Sequence, residues 1–496
     1  NLNVSAGWEA ASGTTESTNA HYRGFPSGEF HSLNYAAEVY KKPTRTENTT
    51  RRVSVLASAN YTWNDIYLVD ASVRFDGSSE FGANQKWAPF FSGGLGVNIH
   101  NYDFFKSNGY INKLKLRASY GRTGKVNFPA YAATTMYETL FDEWYITGYG
   151  AVLKALGNKD LTWEKTDKLS VGIETKTFHD RLTVDFEYYY NKTIDLVNDV
   201  TLSQTSGFST YKDNMGQVAN KGVELKLRAD IYRDRNWNVA LWGNMAHNKN
   251  EILKISDSQK AYNERVAAYY KNEALYQETL GLSHGAEYSV PLPQYEEGAS
   301  LTSIWAVRSL GIDPTTGKEI FLNRDGSIAD KWNAAQEVVV GNTEPKCSGA
   351  FGLNLSYKNW TLFASFLYEW GGQEYNQTLV NNVENADLVN KNVDLRVLTD
   401  RWKKPGDIAQ FKDIKDRGMT TLPTSRFVQD KALVRLNSLN VSYDFNRDWI
   451  KKHLRMNLLR LEASTSDLIN WSSIKQERGL SYPRSWKVEF SLKAQF

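Results

Sequence analysis

The sequence predicts an all-β fold, a transmembrane antiparallel up-and-down β-barrel, and three observations carry that expectation. Segments of about ten residues alternate apolar and polar along most of the chain. Aromatic residues reach 13%, with 28 Tyr and 15 Trp against 11 Pro and 5 Met, a composition that favours strands. The joins between the alternating segments are short and long in turn from one end of the chain to the other.

The alternation is clearest at Arg484 to Phe496, "RSWKVEFSLKAQF", where Trp486, Val488, Phe490, Leu492, Ala494 and Phe496 share one side of an extended chain. Lys487, Glu489, Ser491, Lys493 and Gln495 share the other. "KLKLRASYG" sets Leu114, Leu116, Ala118 and Tyr120 opposite Lys113, Lys115, Arg117 and Ser119. "RLTVDFEYYY" from Arg181 and "GVELKLRADIY" from Gly222 repeat the pattern. A strand with lipid on one side and water on the other must be apolar on the first and can be charged on the second. About fourteen such strands can be read.

The joins order them. "TWNDI" at Thr62, "FHDR" at Phe178, "YRDRNW" at Tyr232 and "YKNW" at Tyr357 are tight, and 101–112 and 446–455 are moderate. Between these fall long joins at about 12–49, 123–163, 193–213, 249–345 and 371–426, with shorter ones at 76–86 and 470–483. A meander with all its long loops on one rim produces this parity, as outer-membrane barrels do with short periplasmic turns and long external loops. A soluble sandwich or propeller has no reason to keep it.

Composition narrows the function classes. The 496 residues contain no linker-like stretch, so one body over 1–496 is expected. No run of 18 apolar residues exists to form a membrane helix. The net charge of +3 is spread without a basic block, which argues against a nucleic-acid partner. Cys347 is the single cysteine, so no internal disulfide or cysteine zinc cluster is expected. From Asn1 the chain enters an alternating stretch, and no export signal is visible.

Catalytic chemistry finds no support. His21, His31, His100, His179, His247, His284 and His453 are scattered without metal-site spacing, and Glu296, Glu297, Asp413 and Asp416 read as solvated loop carboxylates. No catalytic residue, metal or cofactor is assigned, and the chain is read as a non-enzyme. "RFDGSSEFG" is read as a compact external turn given its geometry by Asp76 and Gly77, because neither a Lys-Ser/Thr pair nor a helix follows to cradle phosphate.

Six stretches carry a resemblance: "SVRFDGSSEFGANQKWAPFFSGGLGVNI" from Ser72, "INKLKLRASYGRTG" from Ile111, "GNKDLTWEKTDKLSVGIE" from Gly157, "GFSTYKDNMGQVANKGVEL" from Gly207, "GNTEPKCSGAFGLNLSYKNWTL" from Gly341 and "FVQDKALVRLNSLNVSYDF" from Phe427. In this order they resemble the C-terminal part of SusC-like TonB-dependent outer-membrane transporters. Where that family often has an Asp-rich segment before the Gly341 stretch, only Asp325 and Gly326 remain, so a calcium loop is not expected. The resemblance implies a barrel of about 22 strands, so that this chain would be a C-terminal piece lacking the plug domain and about eight strands. It implies a SusD-like surface lipoprotein, the TonB complex acting through the missing N-terminal plug region, and the barrel-assembly machinery as partners. The remaining N-terminal strands, outer-membrane lipid and a ligand complete the set. By the same resemblance Phe496 is the assembly signal.

The expected function is active import of an oligosaccharide or oligopeptide across a Gram-negative outer membrane. A soluble glycan-binding or structural β protein and a passive porin are the rival readings. Ligand contacts are expected from aromatics of the long joins, namely Tyr131, Tyr137, Trp144, Tyr145, Trp305, Tyr375 and Trp402, because rings stack on sugars and pack peptide side chains at low entropy cost. Rim aromatics at the bilayer interface, or packing against a lid protein, are the competing explanation for the same residues.

Overall fold

A computed structural model of the chain describes all residues except 27, 29–31, 83, 107–108, 127, 129–130, 147, 202–209, 215, 258, 262, 265–290, 292–293, 389, 391–392, 419–420 and 475–486. For 106, 141–145, 198–201, 210–211, 417–418 and 447 it describes the backbone only. Strands come in chain order as β1 (Leu2–Arg23), β2 (Glu38–Trp63), β3 (Tyr67–Ser78), β4 (Trp87–Asn98), β5 (Ile111–Lys125), β6 (Met136–Tyr145), β7 (Gly148–Ala155) and β8 (Glu164–Thr177). They continue as β9 (Leu182–Ile194), β10 (Val197–Thr201), β11 (Thr210–Asn214), β12 (Gln217–Arg233), β13 (Trp237–Lys254), β14 (Ser303–Ile312), β15 (Glu319–Leu322) and β16 (Ile328–Ala329). The last are β17 (Glu337–Asn342), β18 (Cys347–Tyr357), β19 (Trp360–Tyr375), β20 (Val428–Asp444), β21 (Leu458–Thr465), β22 (Asn470–Ser472) and β23 (Val488–Gln495).

One sheet runs β1-β2-β3-β4-β5-β8-β9-β12-β13-β18-β19-β20-β21-β23, every neighbour antiparallel and next in line, with β22 continuing along β20. This is the meander of about fourteen strands that the alternation predicts. Register puts like with like. Val97, Leu116, Ile173, Phe186, Leu225 and Met245 lie opposite one another across six strands, forming a continuous apolar row. The opposite face carries charge: Arg117 reaches Asp185 at 2.8 Å and Glu187 at 2.6 Å, and Lys113 reaches Glu174 at 2.6 Å. The apolar face stays exposed in the isolated chain, with Leu95, Leu116, Ile173 and Leu241 open, as a lipid-facing surface must be.

Tight turns close one rim. Asn64 and Asp65 adopt φ of 51° and 55°, Phe178, His179 and Asp180 adopt 55°, 59° and 63°, and Lys358 adopts 51°. Positive φ matches the twist of paired strands in a short hairpin, and the Asn and Asp members tolerate it best. The moderate joins hold a short helix at Asp103–Lys106 and a longer one at Arg447–Leu454, the latter capped by the Asn446 side chain.

The opposite rim carries all the long connections, and here sequence and structure differ. The stretch expected as a loop over 12–49 is mostly strand: β1 and β2 stay paired from Ser12↔Arg51 to Arg23↔Glu38, past the point where β3 stops at Arg52↔Ser78. This ribbon is polar on both sides, so no alternation marks it. Asp76 and Gly77, expected in a turn, instead end strand β3. Gly77 is required there because a Cβ would lie 2.7 Å from the Trp87 ring. The polar stretch 258–275 lies largely outside the described residues, and among the described residues of 381–398 the chain forms short helical turns at Val380–Glu384 and Arg396–Thr399.

Candidate functional site: the loop-bearing rim

The two longest connections, β13 to β18 and β19 to β20, fall on the same rim and fold into one body. The first contributes a four-stranded sheet in the order β16-β15-β14-β17. The second contributes an apolar core of Leu379, Val380, Val383, Ala386, Val397, Phe411 and Phe427. Backbone and side chains cross between them. Val307 N donates to Pro423 O at 3.1 Å, Ser309 N to Ser425 Oγ at 2.9 Å and Trp332 Nε1 to Pro423 O at 2.9 Å.

Trp402 adds a further link. Its Nε1 donates to Pro314 O at 2.8 Å, and its ring lies over Gly317, where a Cβ would stand 2.5 Å from it. Gly317 also holds φ at 73°, so both the turn and the seat require glycine.

A buried ionic cluster locks the same junction. Arg426 Nη2 reaches Glu319 Oε2 at 2.9 Å and Glu384 Oε1 at 2.7 Å, and Nη1 donates to Gln410 O at 2.7 Å. Burial disfavours the Arg426 charge, but attraction to Glu319 and Glu384 outweighs it and holds the guanidinium above its usual range. Arg401 donates to the carbonyls of Val397 at 3.2 Å, Lys412 at 3.0 Å and Glu384 at 2.9 Å, while burial draws its own charged form down. Lys412 is likewise lowered by burial, against the pull of Glu384. In β17 burial pushes the Glu337 carboxyl up to about 7, opposed by its hydrogen bond from Gln294.

A second core closes the N-terminal side of the rim. Phe81 stacks on Trp163 with centroids 4.1 Å apart, and Phe90 and Phe128 meet the pair edge-on. The hairpin β6–β7 belongs to the join expected at 123–163.

The candidate aromatics separate on this geometry. Trp305 is 2% exposed and Trp402 8%, so neither presents a face to a ligand; both are core residues of the loop body, which corrects their reading as ligand anchors. Tyr375 is half-buried and packs edge-on to Phe427 at 6.0 Å. Tyr137 is 69% exposed and Tyr131 38%. The Tyr131 hydroxyl accepts from Thr49 N at 3.1 Å, tying its loop to the β1–β2 ribbon. The side chains of Trp144 and Tyr145 lie outside the described residues, although their backbone pairs with Tyr149 and Gly148. Phe496 follows β23 and is exposed. The Arg426, Glu319, Glu384 and Arg401 cluster was not foreseen, because partners up to 107 residues apart leave no local signal.

Comparison with known proteins agrees with this architecture. The family model described as TonB dependent receptor-like, beta-barrel matches residues 1–461. TonB-dependent receptor P3 of Formosa agariphila is 28% identical over 484 residues, covering 95% of the chain and 46% of that protein. TonB-dependent receptor SusC of Bacteroides thetaiotaomicron is 29% identical over 255 residues, covering 49% of the chain and 25% of that protein. Among solved structures, the RagAB peptide transporter aligns with a TM-score of 0.79 at 24% identity over 95% of the chain and 50% of its own length. The RagAB importer in its open-open state aligns at 0.81 and 23% identity, over 100% of the chain and 52% of its own. The chain thus spans about half the length of the curated relatives it matches.

Proposed function

Because the chain belongs to the TonB-dependent receptor β-barrel family, whose barrels lie in the outer membrane of Gram-negative bacteria, we propose that it forms the C-terminal barrel portion of an active importer of oligomeric nutrients. The match over residues 1–461, joined to an unbroken antiparallel meander, carries this reading. The family is one of receptors and transporters, and no bond-making step is assigned to the chain. A SusD-like lipoprotein would cover the loop-bearing rim, and TonB would act through a plug region supplied by other sequence along with the remaining strands. Exposed apolar rows speak against a soluble glycan-binding protein, and membership of the TonB-dependent family against a passive porin.

The cargo is an oligosaccharide or oligopeptide. The exposed Tyr131 and Tyr137 are its contacts from this chain, whereas Trp305 and Trp402 shape the loop body that surrounds it. The test is binding and uptake of glycan and peptide oligomers by cells carrying the full-length protein with single substitutions. Tyr137→Ala is expected to weaken binding about thirtyfold, near 2 kcal/mol, if the ring stacks on cargo. Parental uptake by both Tyr131→Ala and Tyr137→Ala would refute the contact assignment, and absence of TonB-dependent uptake of any oligomer would refute the function. For assembly, deleting Phe496 should lower the amount of heat-modifiable barrel in outer-membrane fractions; an unchanged level would remove its role as a signal.

A further inference from the structure

We propose that the tight-turn rim of the C-terminal half is a binding surface for anionic phospholipid of the periplasmic leaflet. The proposal rests on the outer-membrane orientation above, in which short turns face the periplasm. Three consecutive connections build the surface: β12 to β13, β18 to β19, and β20 to β21. They are physically joined, since Lys358 N donates to Asn236 O at 2.8 Å and Asp444 N to Asn359 O at 2.9 Å.

Charge is concentrated on this arc. Arg233, Arg235, Lys358, Lys451, Lys452 and Arg455 are all exposed, and none of the six forms an ion pair among the described residues. The nearby acids are few and two are occupied, the first by local hydrogen bonds: Asp234 accepts from Tyr232 Oη at 2.9 Å and from the backbone of Asn236 and Trp237 at 2.7 Å. Asp448 lies in the first turn of the Arg447–Leu454 helix, and Asp444 is paired with Arg460 at 2.5 Å. The matching turns of the N-terminal half carry Asp65, Asp103, Lys106, Asp180 and Arg181, with no such excess.

Directly beside the cations, on the outward apolar face, sits an aromatic band. Trp237 packs on Tyr357 at 4.2 Å, Trp360 on Tyr443 at 4.8 Å, and Tyr443 on Phe445 at 5.1 Å. The helix joins the two features. Ile450, 1% exposed, pins it to the sheet, while Trp449 stands 51% exposed and stacked on His453 at 5.1 Å, with Lys451, Lys452 and Arg455 beside it. A free phosphate would need only the charges. A ligand that uses cations and a lipid-level aromatic band together must carry both an anionic headgroup and acyl chains.

The experiment measures lipid retention by native mass spectrometry on the full-length protein in detergent, supplied with phosphatidylglycerol or phosphatidylcholine of identical acyl chains. The parent should retain phosphatidylglycerol at least about fivefold better, the effect of roughly one basic side chain at an anionic surface. Combining Lys451→Ala, Lys452→Ala and Arg455→Ala should lower the ratio by at least about half, while Arg181→Ala on the other half should leave it unchanged. Equal retention of the two lipids by the parent overturns the proposal and would assign the arc to an acidic periplasmic protein instead. An unchanged ratio in a triple variant that keeps its heat-modifiable migration overturns it as well. Should that variant not fold, the parent alone decides, because a preference that high salt does not weaken is not electrostatic. Oligomer uptake by the same variants reports separately on the import function, so the two readings can fail independently.

Discussion

The transmembrane sheet and the loop body draw on the same aromatic and aliphatic residues and place them in opposite ways. In the sheet Leu116, Ile173 and Phe186 point away from the protein and remain open, whereas in the loop body Trp305, Val307, Phe411 and Phe427 are almost wholly enclosed. The charges reverse too: Arg117 and its carboxylates line the polar face of the sheet, and Arg426 with Glu384 lies in the middle of the loop body. The difference teaches that the solvent decides the sign of a pattern. Where lipid is the surroundings, an exposed apolar ring is at rest; where water is, the ring must be covered.

The largest test of that contrast is Arg426→Met, which leaves Glu319 and Glu384 buried without their partner and should cost the loop body about 3–5 kcal/mol. Protease cleavage between β19 and β20 on intact cells should rise sharply while heat-modifiable migration of the barrel stays constant; a resistant loop body would sink the claim that this cluster holds it. Next comes Ile173→Arg on the lipid face, expected to cost about 2–4 kcal/mol in refolding into bilayers, against little for Ser170→Arg on the polar face. Similar losses at both positions would mean that the two faces have been assigned wrongly.

A smaller effect is expected from pH. The Glu337 carboxyl, pushed up to about 7 by burial, keeps its proton in the folded body through a range where the unfolded chain, near 4.5, releases it. The unfolded state therefore binds fewer protons between those values, and stability of the body falls as pH rises through this window and levels off above it. With part of the side chain open to water the loss should be about 1–2 kcal/mol, and Glu337→Gln should flatten it, as read by hydrogen exchange of β14 and β17. A slope that survives the substitution would point to another group. Smallest of all, Tyr137→Ala should shift loop-body or barrel stability by less than about 0.5 kcal/mol, since its ring covers nothing. A larger shift would make it a packing residue like Trp402.

The sheet was legible in the sequence because lipid enforces strict alternation, and a strand such as Leu182–Ile194 could be aligned from its pattern alone. The loop body was not, for a physical reason. In β14 the run Ile304, Trp305, Ala306 and Val307 is buried on both faces, so no alternation marks a direction for Trp305. Trp402 was misread similarly: its cover comes from Gly317 and Pro314, remote in sequence. The β1–β2 ribbon failed for the opposite reason, as water on both sides imposes no pattern on Thr14, Glu16 or Thr18.

That ribbon has a practical consequence. Twelve residues of β1, past the register at which β2 stops pairing with β3, at about 3.4 Å each, make a mast about 40 Å long. It projects from the loop-bearing rim, the external side of an outer-membrane barrel. A single cysteine placed at Thr18, in a chain whose one native thiol is the half-buried Cys347, would report surface display on living cells through an impermeant maleimide.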